Sequence, residues 1–273
     1  MIDYWVKILT ILLFLLQQAI AAPITNNTAI NPPLKVALMP VFSSSPIFIA
    51  DDYHYFSDEQ LTVEYLFMSS AQNVAIAVAT GKADIGVTGL TAGFFNLSGE
   101  VGLKIIAGQY QEKKDWNGAV YLACNQAYEK GLTSPEQLKG KRLGMTQPGS
   151  TFHRWYGALA EMQGWPITQF ELISLHSLPG MISALSSCQV DAMIALPQIA
   201  EKLTGENRAH TIGNVSDYTP GQVGVVFSSS TFIQQEPTSV ERFLRAYVKS
   251  SELYHDRLIL PDQRSGKKAK KLL

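Results

Sequence analysis

Short apolar runs alternate with amphipathic stretches of about ten residues along most of the chain. Three early runs have the apolar and β-branched content of strands: residues 34–39 (LKVALM), 61–67 (LTVEYLF) and 83–87 (ADIGV). Residues 46–55 and 69–81, which separate these runs, have helical spacing. Ser69 and Ser70 are candidate N-caps of the second helix, and Gly81 is its candidate C-cap. Because parallel strands need a crossover element between them, this pattern predicts an α/β fold with mostly parallel strands.

A second series with the same rhythm follows Asp115. Its predicted strands are residues 119–125 (AVYLACN), 141–146 (KRLGMT), 170–175 (FELISL) and 190–196 (VDAMIAL). Helices are predicted to begin at Pro135, after Ser150 or Thr151 with Gly164 as C-cap, and at Pro179. A last strand at 224–229 and a helix at 236–254 suggest that the chain returns to complete the first series.

The first 21 residues have the pattern of a secretory signal peptide. Lys7 precedes an apolar run over residues 8–16, and the small residues Ala19 and Ala21 offer a cleavage site before Ala22. The run is shorter than the roughly 20 residues that cross a bilayer. No cysteine lies near the cleavage site, so we expect a periplasmic protein without a lipid anchor, in which residues 22–33 form a linker.

Composition and charge narrow the class of protein. Hydrophobic residues make up 46% of the chain, which is ordinary for a globular protein. The formal net charge is −1. Five positive charges lie near the C-terminus, on Arg264, Lys267, Lys268, Lys270 and Lys271, so the rest of the chain has a net charge of −6. An acidic body excludes a nucleic-acid-binding footprint there.

Cysteine and histidine do not suggest a metal site. Cys124 and Cys188 could pair in an oxidising compartment, but two isolated cysteines are more often small buried hydrophobes. The histidines are scattered without ligand spacing, so no metal or other cofactor is expected: His54, His153, His176, His210 and His255.

Small hydroxyl residues and glycine are concentrated in loops that follow strands. The loops are VFSSSP, MSSAQ, VTGLTAG and QPGSTF. In open α/β sheets such loops gather at the carboxyl ends of the strands, where ligands bind. A helix amino terminus there offers unpaired N–H groups to a carboxylate, sulfonate or phosphate. The loops therefore indicate a binding site for a small anionic solute.

Five segments, in this order, resemble the substrate-binding proteins of nitrate/sulfonate/taurine-type ABC importers, which have an NMT1/THI5-like domain. They read SSSPIFIADDYHYF, LTVEYLF, AIAVATGKADIGVTG, SPEQLKGKRLGMTQPGST and ISALSSCQVDAMIALP. The resemblance implies a two-lobed type II periplasmic-binding fold that closes over its ligand. It implies a first lobe of residues 34–116 plus 222–273 and a second of residues 119–216, with hinges near 116–118 and 220–221.

The resemblance also implies ligand contacts, a role and partners. The ligand-binding loops fall on Ser43, Ser44, Ser45, Ser70, Thr88, Gly89, Gln109, Trp116, Ser150, Thr151, His153, His176 and Pro197. The expected role is capture of a small-molecule ligand, without catalysis, for an ABC permease and its ATPase by a monomeric protein. Family members continue for several helical elements beyond the position of Tyr254, so apolar surface on the first lobe is expected to be uncovered.

Other functions remain open at this point. The ligand could be a thiamine-precursor pyrimidine, because Tyr110, Trp116 and Phe152 could supply an aromatic wall, whereas Trp155 and Tyr156 more plausibly pack the helix on its own sheet. The chain could also be a periplasmic sensor domain. An enzyme of pyrimidine biosynthesis related to THI5 is disfavoured, because those enzymes carry a cysteine-rich motif and no export signal.

Overall fold

The computed structural model describes residues 32–114 and 118–256 of the chain. The predicted signal peptide, most of the linker, Trp116 and the basic C-terminal segment lie outside the described residues. No described helix combines the length and the apolar character needed to span a membrane.

The described residues form two five-stranded sheets flanked by helices. The first sheet has the order β2-β1-β3-β10-β4 and the second the order β7-β6-β8-β5-β9. The strands are β1 (Leu34–Leu38), β2 (Val63–Phe67), β3 (Ile85–Gly89), β4 (Leu103–Glu112), β5 (Val120–Cys124), β6 (Arg142–Met145), β7 (Glu171–Ser174), β8 (Ala192–Ala195), β9 (Ala209–Asn214) and β10 (Gly221–Ser229).

Each sheet contains one strand that runs against the other four. In the first sheet this strand is β10, which pairs antiparallel with β3 and β4. In the second sheet it is β5, which pairs antiparallel with β8 and β9. Both strands follow a crossing between the sheets, so the two sheets are mostly parallel and share one topology, as the repeated rhythm predicts.

Ten α-helices lie in the described residues. They are α1 (Ser45–Asp52), α2 (Tyr55–Asp58), α3 (Ala71–Ala79), α4 (Ala92–Val101), α5 (Asn125–Glu129), α6 (Thr151–Met162), α7 (Leu178–Ser186), α8 (Pro197–Gly205), α9 (Ser230–Gln235) and α10 (Pro237–Tyr254).

The predicted N-caps Ser70 and Ser150 are confirmed, whereas the C-caps are Thr80 and Gln163, each one residue before the predicted glycine. The Ser70 Oγ accepts a hydrogen bond from the Asn73 N–H at the start of α3, and the Ser150 Oγ accepts one from the His153 N–H at the start of α6. Gly81 and Gly164 follow these helices with φ of 70° and 68°, in the left-handed region that glycine adopts without a steric penalty.

Two predicted helices differ from the structure. The helix expected over residues 46–55 ends at Asp52, because His54 adopts a φ of 61° and the chain restarts as the single turn α2. The helix expected at Pro135 is only a 3₁₀ turn over Pro135–Gln137. Its side chains form a capping box that holds the turn without extending it.

The interior is divided into separate apolar cores. One core belongs to the second sheet and contains the large buried side chains Tyr121, Trp155 and Tyr156. The first sheet has a core on each face, one beneath α1, α2 and α10 and the other beneath α3 and α4. The edge strands of the first sheet leave Phe67 59% and Ile105 51% exposed, so apolar surface is uncovered there.

Cys124 and Cys188 form a disulfide with a Cα–Cα distance of 5.6 Å. The sequence-based preference for two separate buried thiols is therefore wrong. The bond joins the end of β5 to the turn after α7, where Cys188 has a φ of 54°. The sequence left the pairing open, because it does not show that two residues 64 positions apart come together in the fold.

Candidate functional site

A cavity of about 70 Å³ lies where the carboxyl ends of the parallel strands in both sheets meet. Its wall consists of Met39, Val41, Ser43, Ala71, Val87, Thr88, Gly89, Gln109, Tyr110, Thr146, Ser150, Thr151, Phe152, Trp155, Leu178, Leu196, Val223 and Gly224. Both sheets contribute, and this position is where ligands bind in open α/β sheets.

Several helix amino termini converge on this cavity. Ala71 begins α3, Ser150 caps α6, Leu178 begins α7 and Leu196 precedes α8. The first N–H groups of a helix lack partners within the helix, and the helix dipole makes this end partially positive. No Lys, Arg, Asp or Glu belongs to the wall, so helix ends and neutral donors dominate the local electrostatics.

The hydroxyl groups on the first-sheet side are held in place but retain hydrogen-bonding capacity. The Gln109 Nε2 donates to the Ser43 Oγ at 3.2 Å, and the Ser44 Oγ donates to the Met39 carbonyl at 2.9 Å. The buried Thr88 Oγ1 has only a 3.6 Å contact with the Met39 sulfur. Because sulfur is a weak acceptor, a ligand oxygen would be a better partner for Thr88.

Trp155 supplies a donor from the second-sheet side. Its side chain lines the cavity and is only 1% exposed, and its ring packs edge-on against Phe152 with centroids 5.7 Å apart. The indole Nε1 is buried and has no hydrogen-bond partner among the described residues. An unsatisfied buried N–H is costly, which makes this group a candidate donor to a ligand.

Tyr110 connects the cavity wall to the crossing between β4 and β5. Its hydroxyl donates to the Glu112 Oε1, which also accepts the Ala119 N–H at 2.8 Å. Burial raises the pKa of Glu112, and hydrogen bonds from Tyr110 and Ala119 oppose this shift only in part. Burial and the neighbouring Glu112 raise the pKa of Tyr110, so this phenol remains protonated.

Six of the sequence-predicted residues lie together on the cavity wall: Ser43, Thr88, Gly89, Gln109, Ser150 and Thr151. Trp116 lies outside the described residues. The others are not part of the wall but are close in sequence to residues that are: Ser44, Ser45, Ser70, His153, His176 and Pro197.

The structure gives several of these neighbours local roles. The His153 Nδ1 accepts the Gly149 N–H at 2.8 Å, so this ring nitrogen supports the loop before α6. Ser70 caps α3, and Pro197 begins α8. His176 is exposed and adopts a φ of 62° between β7 and α7.

Sequence reasoning missed most of the apolar wall. Met39, Val87, Leu196 and Val223 look like ordinary core residues, and their contribution depends on how the two sheets face each other. Trp155 was predicted to pack on its own sheet, and it lies in that core while also lining the cavity. Its position in the second turn of the helix that Ser150 caps was the available signal.

The two sheets, their crossings and the cleft define a two-lobed protein with the periplasmic-binding fold. The chain belongs to the NMT1/THI5-like family, whose model matches residues 41–257. A search of curated proteins gave no match.

Solved structures with the same fold come from bacteria and a fungus. The alkanesulfonate-binding protein SsuA from Xanthomonas axonopodis pv. citri, bound to MOPS, is 17% identical with a TM-score of 0.68, over 86% of this chain and 80% of that chain. The periplasmic nitrate-binding protein NrtA from Synechocystis PCC 6803 is 14% identical with a TM-score of 0.69, over 82% and 62%. The Candida albicans CA3427 gene product is 20% identical with a TM-score of 0.68, over 86% and 75%. At these identities the similarity establishes the fold alone.

Proposed function

We propose that this protein is the solute-binding component of an ABC importer and captures a small organic anion by closure of its two lobes. The observation that carries the proposal is the cavity between the sheets, where helix amino termini and neutral donors converge without an opposing carboxylate. Family membership and the printed names of the sulfonate- and nitrate-binding structures support it.

Closure of the two lobes is expected because both sides of the cleft contribute residues to the cavity wall. Thr88 and Gln109 belong to the first sheet's side of the cleft, and Ser150 and Trp155 belong to the second. A ligand that contacts both sets binds the closed state better than the open one and shifts the population towards it. The permease and its ATPase would then recognise the closed form, and the binding protein itself would act as a monomer without catalysing a reaction.

The lobe boundaries inferred from the family remain part of this proposal. A first lobe of residues 34–116 plus 222–273 and a second of residues 119–216 agree with the membership of the two sheets. The crossings then lie between β4 and β5 and between β9 and β10, where Gly118 and Gly221 stand. Export to the periplasm is supported by the disulfide, since such bonds persist in oxidising compartments.

A thermal-shift assay on the mature protein tests the ligand class. The panel contains methanesulfonate, taurine, nitrate, acetate and a hydroxymethyl-aminopyrimidine. A ligand present at 100 times its dissociation constant stabilises the native state by about 2.7 kcal/mol, which is about 5–10 °C for a domain of this size. We expect this shift with at least one of the anions.

Two matched hydroxyl variants test whether the ligand that raises the melting temperature binds in the cavity. Thr88→Val removes a buried wall hydroxyl, so it should reduce the shift, whereas Thr204→Val alters a hydroxyl that bonds to the Ala200 carbonyl within α8 and should leave it unchanged. Stabilisation by the pyrimidine alone would overturn the anion proposal in favour of the thiamine-precursor alternative. The aromatic side chains in the cavity wall that favour this alternative are Tyr110, Phe152 and Trp155. A panel with no shift at all would contradict solute binding of either class.

A further inference from the structure

The loops on the two sides of the cleft contact each other directly. The Ala92 N–H at the start of α4 donates to the Gly149 carbonyl at 2.7 Å, and the Thr151 Oγ1 donates to the Leu90 carbonyl at 2.9 Å. Residues 90–92 follow β3 of the first sheet, and residues 149–151 lead into α6 of the second. We call these two segments the latch.

The latch depends on the absence of side chains at two glycines. A Cβ atom at Gly89 would lie 2.7 Å from the Thr151 Oγ1, and one at Gly149 would lie 3.0 Å from the Ala92 Cβ. The first distance is shorter than Cβ contacts in real proteins, so the Thr151 side chain or its loop would have to move. The backbones therefore approach closely at this point because both residues are glycine.

The same atoms border the cavity, so the latch sets its width. Gly89 and Thr151 are both wall residues. The cavity volume of about 70 Å³ is less than half of the roughly 150 Å³ apolar cavity that accepts benzene in an engineered protein. With the latch formed, the part of a solute that lies within the cavity therefore has fewer heavy atoms than benzene.

The wall also restricts the chemistry of such a solute. Thr88, Thr146 and the unpartnered Trp155 Nε1 offer donors to an oxyanion, whereas Val87, Phe152 and Leu196 offer apolar surface. A bare inorganic anion would leave the apolar surface without a partner. A compact organic oxyanion with a short alkyl group, such as methanesulfonate or acetate, satisfies both parts of the wall.

We propose that the latch is the specificity-determining contact of the site, which admits compact alkyl oxyanions and excludes sulfonates as large as MOPS. This inference rests on the proposed function, because it assumes that an anion occupies the cavity. It goes further in assigning size selection to one contact between the lobes. The Xanthomonas axonopodis protein with this fold was solved with MOPS bound.

Calorimetric titration of methanesulfonate and MOPS into the wild-type protein and Gly89→Ala tests the latch. We expect the wild type to bind methanesulfonate at least tenfold more tightly than MOPS. Gly89→Ala should reduce this preference at least fivefold, because the added methyl group displaces Thr151 and holds the cleft apart. Gly99→Ala is the matched control, since a Cβ at Gly99 meets no atom within 4 Å, and its preference should equal that of the wild type.

A second variant keeps the test decisive if Gly89→Ala does not fold, as judged by its circular dichroism melting curve. Thr151→Val retains the side-chain shape but removes the hydrogen bond to the Leu90 carbonyl, so its preference for methanesulfonate over MOPS should also fall about fivefold. Equal wild-type affinity for both sulfonates, or an unchanged preference in the folded variants, would overturn the latch while leaving solute binding intact. Failure of the wild type to bind any anion would instead refute the proposed function.

Discussion

Glu112 is a carboxylate that is only 2% exposed at the crossing from the first sheet to the second. Its Oε2 has no hydrogen-bond partner among the described residues, and a Cβ atom at Gly118 would lie 2.0 Å from it. Gly118 therefore has no side chain because the carboxylate occupies that space. Tyr110 contacts Glu112 through its hydroxyl and lines the cavity, so one side chain joins the cavity wall to the crossing.

The raised pKa of Glu112 predicts a pH dependence of stability. An unperturbed glutamate titrates near pH 4.3, so above that pH the folded protein binds the Glu112 proton more tightly than the unfolded chain does. The free energy of unfolding should therefore fall as the pH rises from about 4.3 through the folded-state pKa. Glu112→Gln should remove this component, so that the melting temperature of the variant exceeds that of the wild type more at pH 7 than at pH 5.

Glu64→Gln on the edge strand β2 provides the matched control for Glu112→Gln, because Glu64 is exposed. Its melting temperature should follow that of the wild type at both pH values. If Glu112→Gln also follows the wild type, burial of this carboxylate does not affect the pH dependence of folding.

Helix α10 is attached to the first sheet mainly by apolar packing. Phe243 is fully buried, and its ring stacks on Phe56 at 5.5 Å and on Tyr247 at 6.1 Å. Arg245 on the same helix forms a bidentate hydrogen-bonded ion pair with Glu59, but both side chains are partly exposed. Exposed pairs contribute little because water and salt screen them.

Alanine substitutions on α10 should separate these two contributions. Phe243→Ala should lower the free energy of unfolding by about 3–5 kcal/mol, because a cavity remains in the core. Arg245→Ala should lower it far less, because water and salt screen this exposed ion pair. Urea denaturation of the two variants measures both values, and a larger loss for Arg245→Ala would show that the ion pair rather than the core holds α10.

Among the elements, the sequence predicted eight of the ten described strands and missed two edge strands, together with the helices α4 and α8. Strand β4 (LKIIAGQYQE) has no clean alternation of buried and exposed residues, and its pairing with β10 contains register shifts. Strand β9 (AHTIGN) has only Ala209 and Ile212 as apolar residues, so it lacks a continuous apolar run. Both are defined by pairing with a strand that arrives from the other sheet, which a local pattern does not contain.

The candidate site, like the fold, was predictable from the sequence only in part. Serine and threonine at strand ends were predictable, because their position at a helix start is local in sequence. The apolar wall and the contact between residues 90–92 and 149–151 depend on the relative placement of the two sheets. The sequence could therefore indicate which loops border the cavity, but not how wide the cavity is.

In the whole molecule, the disulfide lies entirely within the part of the chain that builds the second sheet. Cys124 belongs to the core of that sheet, whereas the first sheet has separate cores. Replacing both cysteines by alanine should lower the free energy of unfolding of the second sheet's region by about 2–4 kcal/mol. Hydrogen exchange read by mass spectrometry should show faster exchange in β5 to β9 and unchanged exchange in β1 to β3.

Reduction of the wild-type disulfide provides the control, because it should reproduce the exchange pattern of the double variant, and a reductant should not affect the variant itself. Equal acceleration in both sheets would mean that the two sheets unfold as one cooperative unit and that the bond does not act locally.

The placement of β10 between β3 and β4 also determines the order in which the molecule can assemble during synthesis. The second sheet uses strands from one continuous stretch and has all five of them once the ribosome has passed Asn214. The first sheet lacks an internal strand until Ser229 has been made, so β3 and β4 wait with unpaired edges while the later segment folds. The half of the protein that begins first is therefore the half that is finished last, and until then its unpaired strand edges are open to aggregation.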